Sequence, residues 1–247
     1  MIKQLAVITR RPGMTHEEYV DYVKHIHGYK ITCANPLTVC EYIQNDVYDA
    51  AYGTKNDVFE GGYKIVYGRD SITELYFEDP EAMAKTFNDP YVHNVIGPDG
   101  SNFSDLGKSL SFLVTEEEVK VANASPGGIK IFYFIKKNAS LSSEEFDRLW
   151  FESHDEVVTS HEVVRNQLRR FINNVQISVG ESDYFGSTET ITYDGVATMW
   201  FDTTAAFRMY QSELALIAQR KGDFINQSAT FFLYTDPLTI FKKADGE

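Results

Sequence analysis

Residues 2–31 read IKQLAVITRRPGMTHEEYVDYVKHIHGYKI, and residues 129–158 read IKIFYFIKKNASLSSEEFDRLWFESHDEVV. At an offset of 127 the two stretches align without a gap: Lys3 meets Lys130, Thr15 meets Ser142, Glu18 meets Glu145, Tyr19 meets Phe146, and His27 meets His154. Each opens with an apolar run of strand length and breaks at a polar turn. Each resumes at Thr/Ser-x-x-Glu, a capping box in which hydroxyl and carboxylate satisfy free backbone N–H groups at a helix start. Apolar residues then recur at Tyr19, Tyr22, Val23 and Ile26, and at Phe146, Leu149 and Trp150, the spacing of one helix face.

The repetition continues beyond these stretches. Residues 70–77 (DSITELYF) match residues 194–201 (DGVATMWF) at an offset of 124, and Tyr42-Ile43-Gln44-Asn45 echoes Phe171-Ile172-Asn173-Asn174. Small changes in loop length account for the drift. The 247 residues therefore divide into a first repeat (1–121), a linker of small and breaker residues (122–128, ANASPGG) and a second repeat (129–247). In the first, strands are expected at Lys3–Arg10, Val39–Tyr48, Tyr63–Phe77 and Leu110–Val114, with a second helix after Asp79-Pro80. In the second, strands are expected near Arg169–Val179, Thr190–Asp202 and Thr230–Thr235, with a helix over Thr203–Gln219. This β-α-β-β-α-β order predicts an α+β fold of two ferredoxin-like repeats. A sheet with helices on one face leaves the other apolar, so the repeats are expected to pack sheet to sheet within one chain.

Charge narrows the function. With 36 Asp+Glu against 23 Lys+Arg the net charge is −13, which argues against nucleic acid and against an anionic membrane surface. No apolar run approaches the ~20 residues of a spanning helix. Leu5–Ile8, closed by Arg10 and Arg11, is too short for a signal-peptide core. Cys33 and Cys40 make no C-x-x-C pair, so a reducing cytoplasm is the expected location. Gly61-Gly62 and Gly127-Gly128 lack a phosphate-loop context, His25 and His161 complete no ligand set, and no nucleophile elbow is present. No metal or organic cofactor is expected.

PGMTHEEYVDYVKHIHG and DSITELYF in the first repeat, with SLSSEEFDRLWFESH and DGVATMWF in the second, resemble the EthD family of the dimeric α/β-barrel superfamily. The resemblance implies an intramolecular barrel of two tandem EthD-like domains, with pockets between helices and sheet in each half. Superfamily relatives include cofactor-free isomerases, cyclases, decarboxylases and oxygenases of small phenolic or lactone compounds, and haem binders. His27 keeps the His-Gly of the pattern, whereas His154 is followed by Asp155-Glu156. The helix aromatic is Val23 in the first repeat and Trp150 in the second; the strand aromatic is Tyr76 in the first and Trp200 in the second. Lost bulk makes room, which places the site in the first repeat and leaves His154, Trp150 and Trp200 as counterparts in a filled half.

His27 follows Val23 by four residues and so faces the sheet, either as a packed structural histidine or as the acid/base. His93 borders the same space from the second helix and could share the proton work. Glu74 and Tyr76 share a strand face with Ile72; if that face looks toward the helices, Glu74 is a half-buried carboxylate beside His27, and otherwise an exposed charge. Arg10 and Arg69 are candidates to hold a substrate carboxylate, and Tyr22, Val23 and Tyr29 to line an aromatic pocket. Residues 46–62 suggest a hairpin extension or lid. These residues describe a cofactor-independent lyase acting on a small phenolic or aromatic compound. The alternatives are a cofactor-free oxygenase, an isomerase or cyclase, and a haem- or small-molecule-binding protein. One chain suffices to close a barrel, and the sequence leaves a homodimer open.

Overall fold

The computed structural model describes residues 1–53, 65–66, 68–177 and 193–244. The first repeat contributes β1 (Ile2–Ile8), α1 (His16–Tyr22), β2 (Glu41–Gly53), β3 (Ile65–Val66), β4 (Ser71–Phe77), α2 (Pro80–Phe87), α3 (Gly97–Gly100) and β5 (Leu110–Val119). The second contributes β6 (Ile129–Ile135), α4 (Ser143–Ser160), α5 (Glu162–Gln167), β7 (Leu168–Gln176), β8 (Gly195–Phe201), α6 (Thr204–Arg220) and β9 (Phe231–Lys242). The capping box forms at Thr15 and Glu18, and Ser142 accepts the backbone N–H of Glu145 in the second repeat. Two stretches, Val23–Thr32 continuing from α1 and Val92–Ile96 after α2, are wound as π-helix. β3 pairs with β2 as the far arm of a hairpin; most of the predicted lid, residues 54–62, lies outside the described residues.

All pairings are antiparallel, and the strand order is β3-β2-β4-β1-β5-β7-β8-β6-β9 with β9 returning to β2. Eight strands thus close into a barrel in which each has a partner on both sides, and among the described residues the two-residue β3, paired with β2, stands outside the ring. Each repeat keeps the ferredoxin-like order, and the seams are β5–β7 and β2–β9, so the last strand of each repeat completes the sheet of the other. Closure buries both faces of a strand. All seven residues of β1 are buried: Leu5 and Val7 point into the lumen with Val47, Ile72, Phe112, Phe132, Phe134 and Leu233, while Ala6 and Ile8 lie under the helices.

The helical layers differ. Over the second repeat one continuous apolar cluster joins Ile131, Trp150, Phe171, Phe207, Tyr210 and Leu214. Over the first, the apolar residues split into two clusters. One gathers Ala6, Ile8, Tyr19, Val23 and Phe103, and the other Val39, Tyr42, Phe77 and Met83. The space between them is the cavity described next.

Candidate active site

A cavity of about 700 Å³ lies between the helices and the sheet of the first repeat. Its floor is Gln4, Ala6 and Ile8 of β1, Thr73 and Leu75 of β4, and Tyr42 of β2; its walls include Val23, His27, Leu37, Met83, Phe87, His93 and Phe103. The π-winding shapes one wall. Val23, His27 and Thr32 all face the cavity at steps of four and five residues. In an α-helix, at 3.6 residues per turn, Thr32 would stand on the side opposite Val23; i→i+5 bonding keeps the three in one row. Gly28 lets this wide turn approach β9, since a Cβ there would sit 3.0 Å from the Val23 carbonyl and 3.2 Å from Ile240.

His27 is held at one ring nitrogen. Its Nδ1 is 2.8 Å from Asp99 Oδ2. The other carboxylate oxygen accepts the Tyr22 hydroxyl at 2.6 Å and Asn102 Nδ2 at 2.9 Å. Burial alone would raise the Asp99 pKa, but hydrogen bonds from His27, Tyr22 and Asn102 hold it at about 2. Asp99 is therefore an anion that accepts the Nδ1 proton, and this fixes the tautomer whose lone pair is on Nε2. Among the described residues nothing is bonded to Nε2. The Phe103 ring closes over the imidazole at 4.6 Å. A carboxylate on one ring nitrogen also suits a metal-ligating histidine. Asp99 was not legible in the sequence, since Gly97-Pro98-Asp99-Gly100 reads only as a turn, 72 residues from His27 in the chain.

Several sequence expectations are relocated. His27, His93 and Val23 line the cavity. Glu74 and Tyr76 do not: they point into the barrel lumen, on the face of β4 opposite Thr73 and Leu75. Glu74 is 1 % exposed; burial would raise its pKa, but Lys130 and Lys3 hold the carboxyl well below the usual range. It is neither half-buried beside His27 nor exposed at a strand end. Tyr76 donates to Glu116 Oε1 at 2.9 Å, and burial together with Glu74 and Glu116 raises its pKa. Arg10 pairs with Asp70, and Arg69 donates to Thr9 Oγ1 at 2.9 Å and to the Lys108 carbonyl at 2.8 Å, so neither lines the cavity. Tyr22 positions Asp99 rather than lining the cavity, and Tyr29 is exposed.

The second repeat has the histidine without the carboxylate. His154 is 2 % exposed, its Nδ1 lies 3.1 Å from the Tyr210 hydroxyl, and burial pushes its pKa down to about 4. Trp150 stands where the first repeat has Val23 and packs on Phe146 and Phe171 at 5.7 and 6.3 Å. Its ring lies against Gly195, where a Cβ would come within 2.7 Å of it. The Val23–Trp150 exchange thus separates the open half from the filled one. Trp200 takes no part in that, because it faces Lys130 and Arg170 at the lumen end.

The closed barrel of two ferredoxin-like repeats is the fold that the resemblance of the two repeats implied. Residues 11–107, from the turn after β1 to the loop before β5, match the EthD domain. No curated protein matches the chain in sequence. Among solved structures it is similar to a proposed monooxygenase from Fusobacterium nucleatum subsp. nucleatum, at 7% identity and TM-score 0.51, covering 98% of both chains. It is also similar to an anthrone oxidase-like protein, at 9% identity and TM-score 0.54, covering 100% of this chain and 96% of that one. At these identities the likeness is one of fold. No helix among the described residues is long and apolar enough to cross a membrane.

Proposed function

We propose that the protein is an enzyme in which His27 moves a proton on a small aromatic substrate held in the cavity of the first repeat. The observation that carries this reading is the Asp99–His27 contact of 2.8 Å, with Nε2 unengaged beside an apolar cavity. With Nδ1 fixed as donor, Nε2 can accept a proton from a phenol or an activated C–H, and the imidazolium so formed is stabilised by the Asp99 carboxylate. Ile8, Val23, Leu75, Met83 and Phe103 give an aromatic ring apolar walls. A phenolate formed there can expel a leaving group from its side chain. In a phenolic carboxylate the ring carbon bearing the carboxylate takes the proton, and the C–C bond then breaks to release carbon dioxide while its electron pair restores the aromatic ring, with His93 at the cavity wall as the second proton carrier. This is the chemistry of a cofactor-independent lyase, acting on a small phenolic compound.

A second reading, a cofactor-free oxygenase, draws on the descriptions of the two fold neighbours. The same deprotonation would leave an electron-rich carbanion for dioxygen to attack.

The test is a mass-spectrometric product screen of phenolic and lactone compounds, with and without oxygen, using the wild type and His27→Gln. A product lighter by water, carbon dioxide or formaldehyde is expected without oxygen, at a rate reduced on the order of 10²–10⁴-fold in the variant. Product that forms only under oxygen and gains oxygen atoms would replace the lyase with the oxygenase. Turnover indifferent to His27→Gln would remove the site. A Soret band in the purified protein would recast His27 as a haem ligand.

A further inference from the structure

At one end of the barrel lumen, Lys3 donates to Glu74 Oε2 at 3.0 Å and also to Glu116, while Lys130 donates to the other oxygen of Glu74. Lys3 and Lys130 are equivalent positions of the two repeats, 1 % and 4 % exposed, so a single buried carboxylate lies between symmetry-related ammonium groups. The surroundings repeat as well. Asn45 Nδ2 donates to the Ile72 carbonyl at 2.8 Å and to Glu74 Oε1 at 3.0 Å. Asn174 Nδ2 donates to the Val196 carbonyl at 3.1 Å and to Thr198 Oγ1 at 2.9 Å. The two arrangements match group for group except that the carboxylate of the first is a hydroxyl in the second.

We infer that Glu74 is the recognition element between the repeats, a counter-ion shared by the equivalent lysines of both, so that the second repeat fits only a partner that supplies a carboxylate at this position. A pair of second repeats would bring two Lys130 ammonium groups to the axis with only Thr198 hydroxyls between them. Buried charge left without a partner is strongly destabilising. The unlike pair balances Lys3 and Lys130 against Glu74 and Glu116. This role lies apart from the cavity of the first repeat and does not depend on the reaction assigned there.

The test uses the full chain and reads thermal unfolding. Glu74→Gln leaves the two lysines without their shared anion and is expected to lower Tm by about 6–20 °C. Adding Thr198→Glu to that variant supplies a carboxylate from the other repeat, beside Asn174 and facing the same lysines; it is expected to recover at least half of the loss. Thr198→Gln in the same background is expected to recover none. If Glu74→Gln does not fold, the readout becomes folding itself, with soluble protein expected from the Glu74→Gln/Thr198→Glu chain. A double variant no more stable than Glu74→Gln, or a Glu74→Gln protein within about 2 °C of wild type, would overturn the inference.

Discussion

Acidification should unfold this protein partly through a histidine that takes no part in the proposed chemistry. His154 is buried against Phe171 and Tyr210, and burial brings its pKa from 6.5 to about 4. Between those two pH values the unfolded chain binds a proton that the folded chain refuses, so stability falls as pH is lowered through this window and levels off below it. The gap is about 2.5 pH units; at 1.36 kcal/mol per unit it amounts to about 3 kcal/mol. For a chain of this length that corresponds to about 6–12 °C in Tm. His16 has the opposite sign: Asp70 raises its pKa, so its stabilisation is complete below pH 6.5 and fades above it. A comparison with His154→Leu cancels that contribution, because His16 titrates in both proteins. Tm measured by circular dichroism from pH 7.5 to 4.5 is expected to fall more steeply in the wild type than in the variant. Parallel curves would refute the argument, because they would mean that His154 binds its proton equally well in the folded and unfolded chain.

Two further outcomes follow from the asymmetry of the repeats. Val23→Trp gives the first repeat the residue that fills the second; it is expected to abolish product formation, and binding of an aromatic probe such as 2-naphthol by calorimetry, while Tm stays at or above the wild-type value. Undiminished binding would show that the cavity does not hold the ligand. Gly195→Ala drives a Cβ to 2.7 Å from the Trp150 ring and is expected to cost about 1–3 kcal/mol by overpacking, read as a lower Tm at neutral pH. An unchanged Tm would mean that Trp150 is free to move aside.

The chain's own repetition was enough to define two ferredoxin-like units, and the resemblance they carry supplied the barrel. A gapless match over thirty residues, Thr15 and Ser142 at equivalent helix starts, and the β-α-β-β-α-β order are local signals, and local signals survive in a linear text. The same text singled out His27 and the exchange of Trp150 for Val23, because equivalent positions can be compared without knowing where they point. Three matters were decided only by the tertiary structure. The face of β4 was one: period two groups Ile72, Glu74 and Tyr76, but a closed barrel buries both sides of a strand, so hydrophobic pattern cannot say which side is the lumen. Glu74 accordingly belongs to the barrel lumen rather than to His27. The π-winding of Val23–Thr32 was another, since it rests on packing against β9 and not on a period visible in composition. The last was Asp99, whose meeting with His27 across 72 residues is a product of chain reversal. Residue spacing carries what neighbours along the chain impose on each other; the partner of His27 is set by which surfaces the closed barrel brings together.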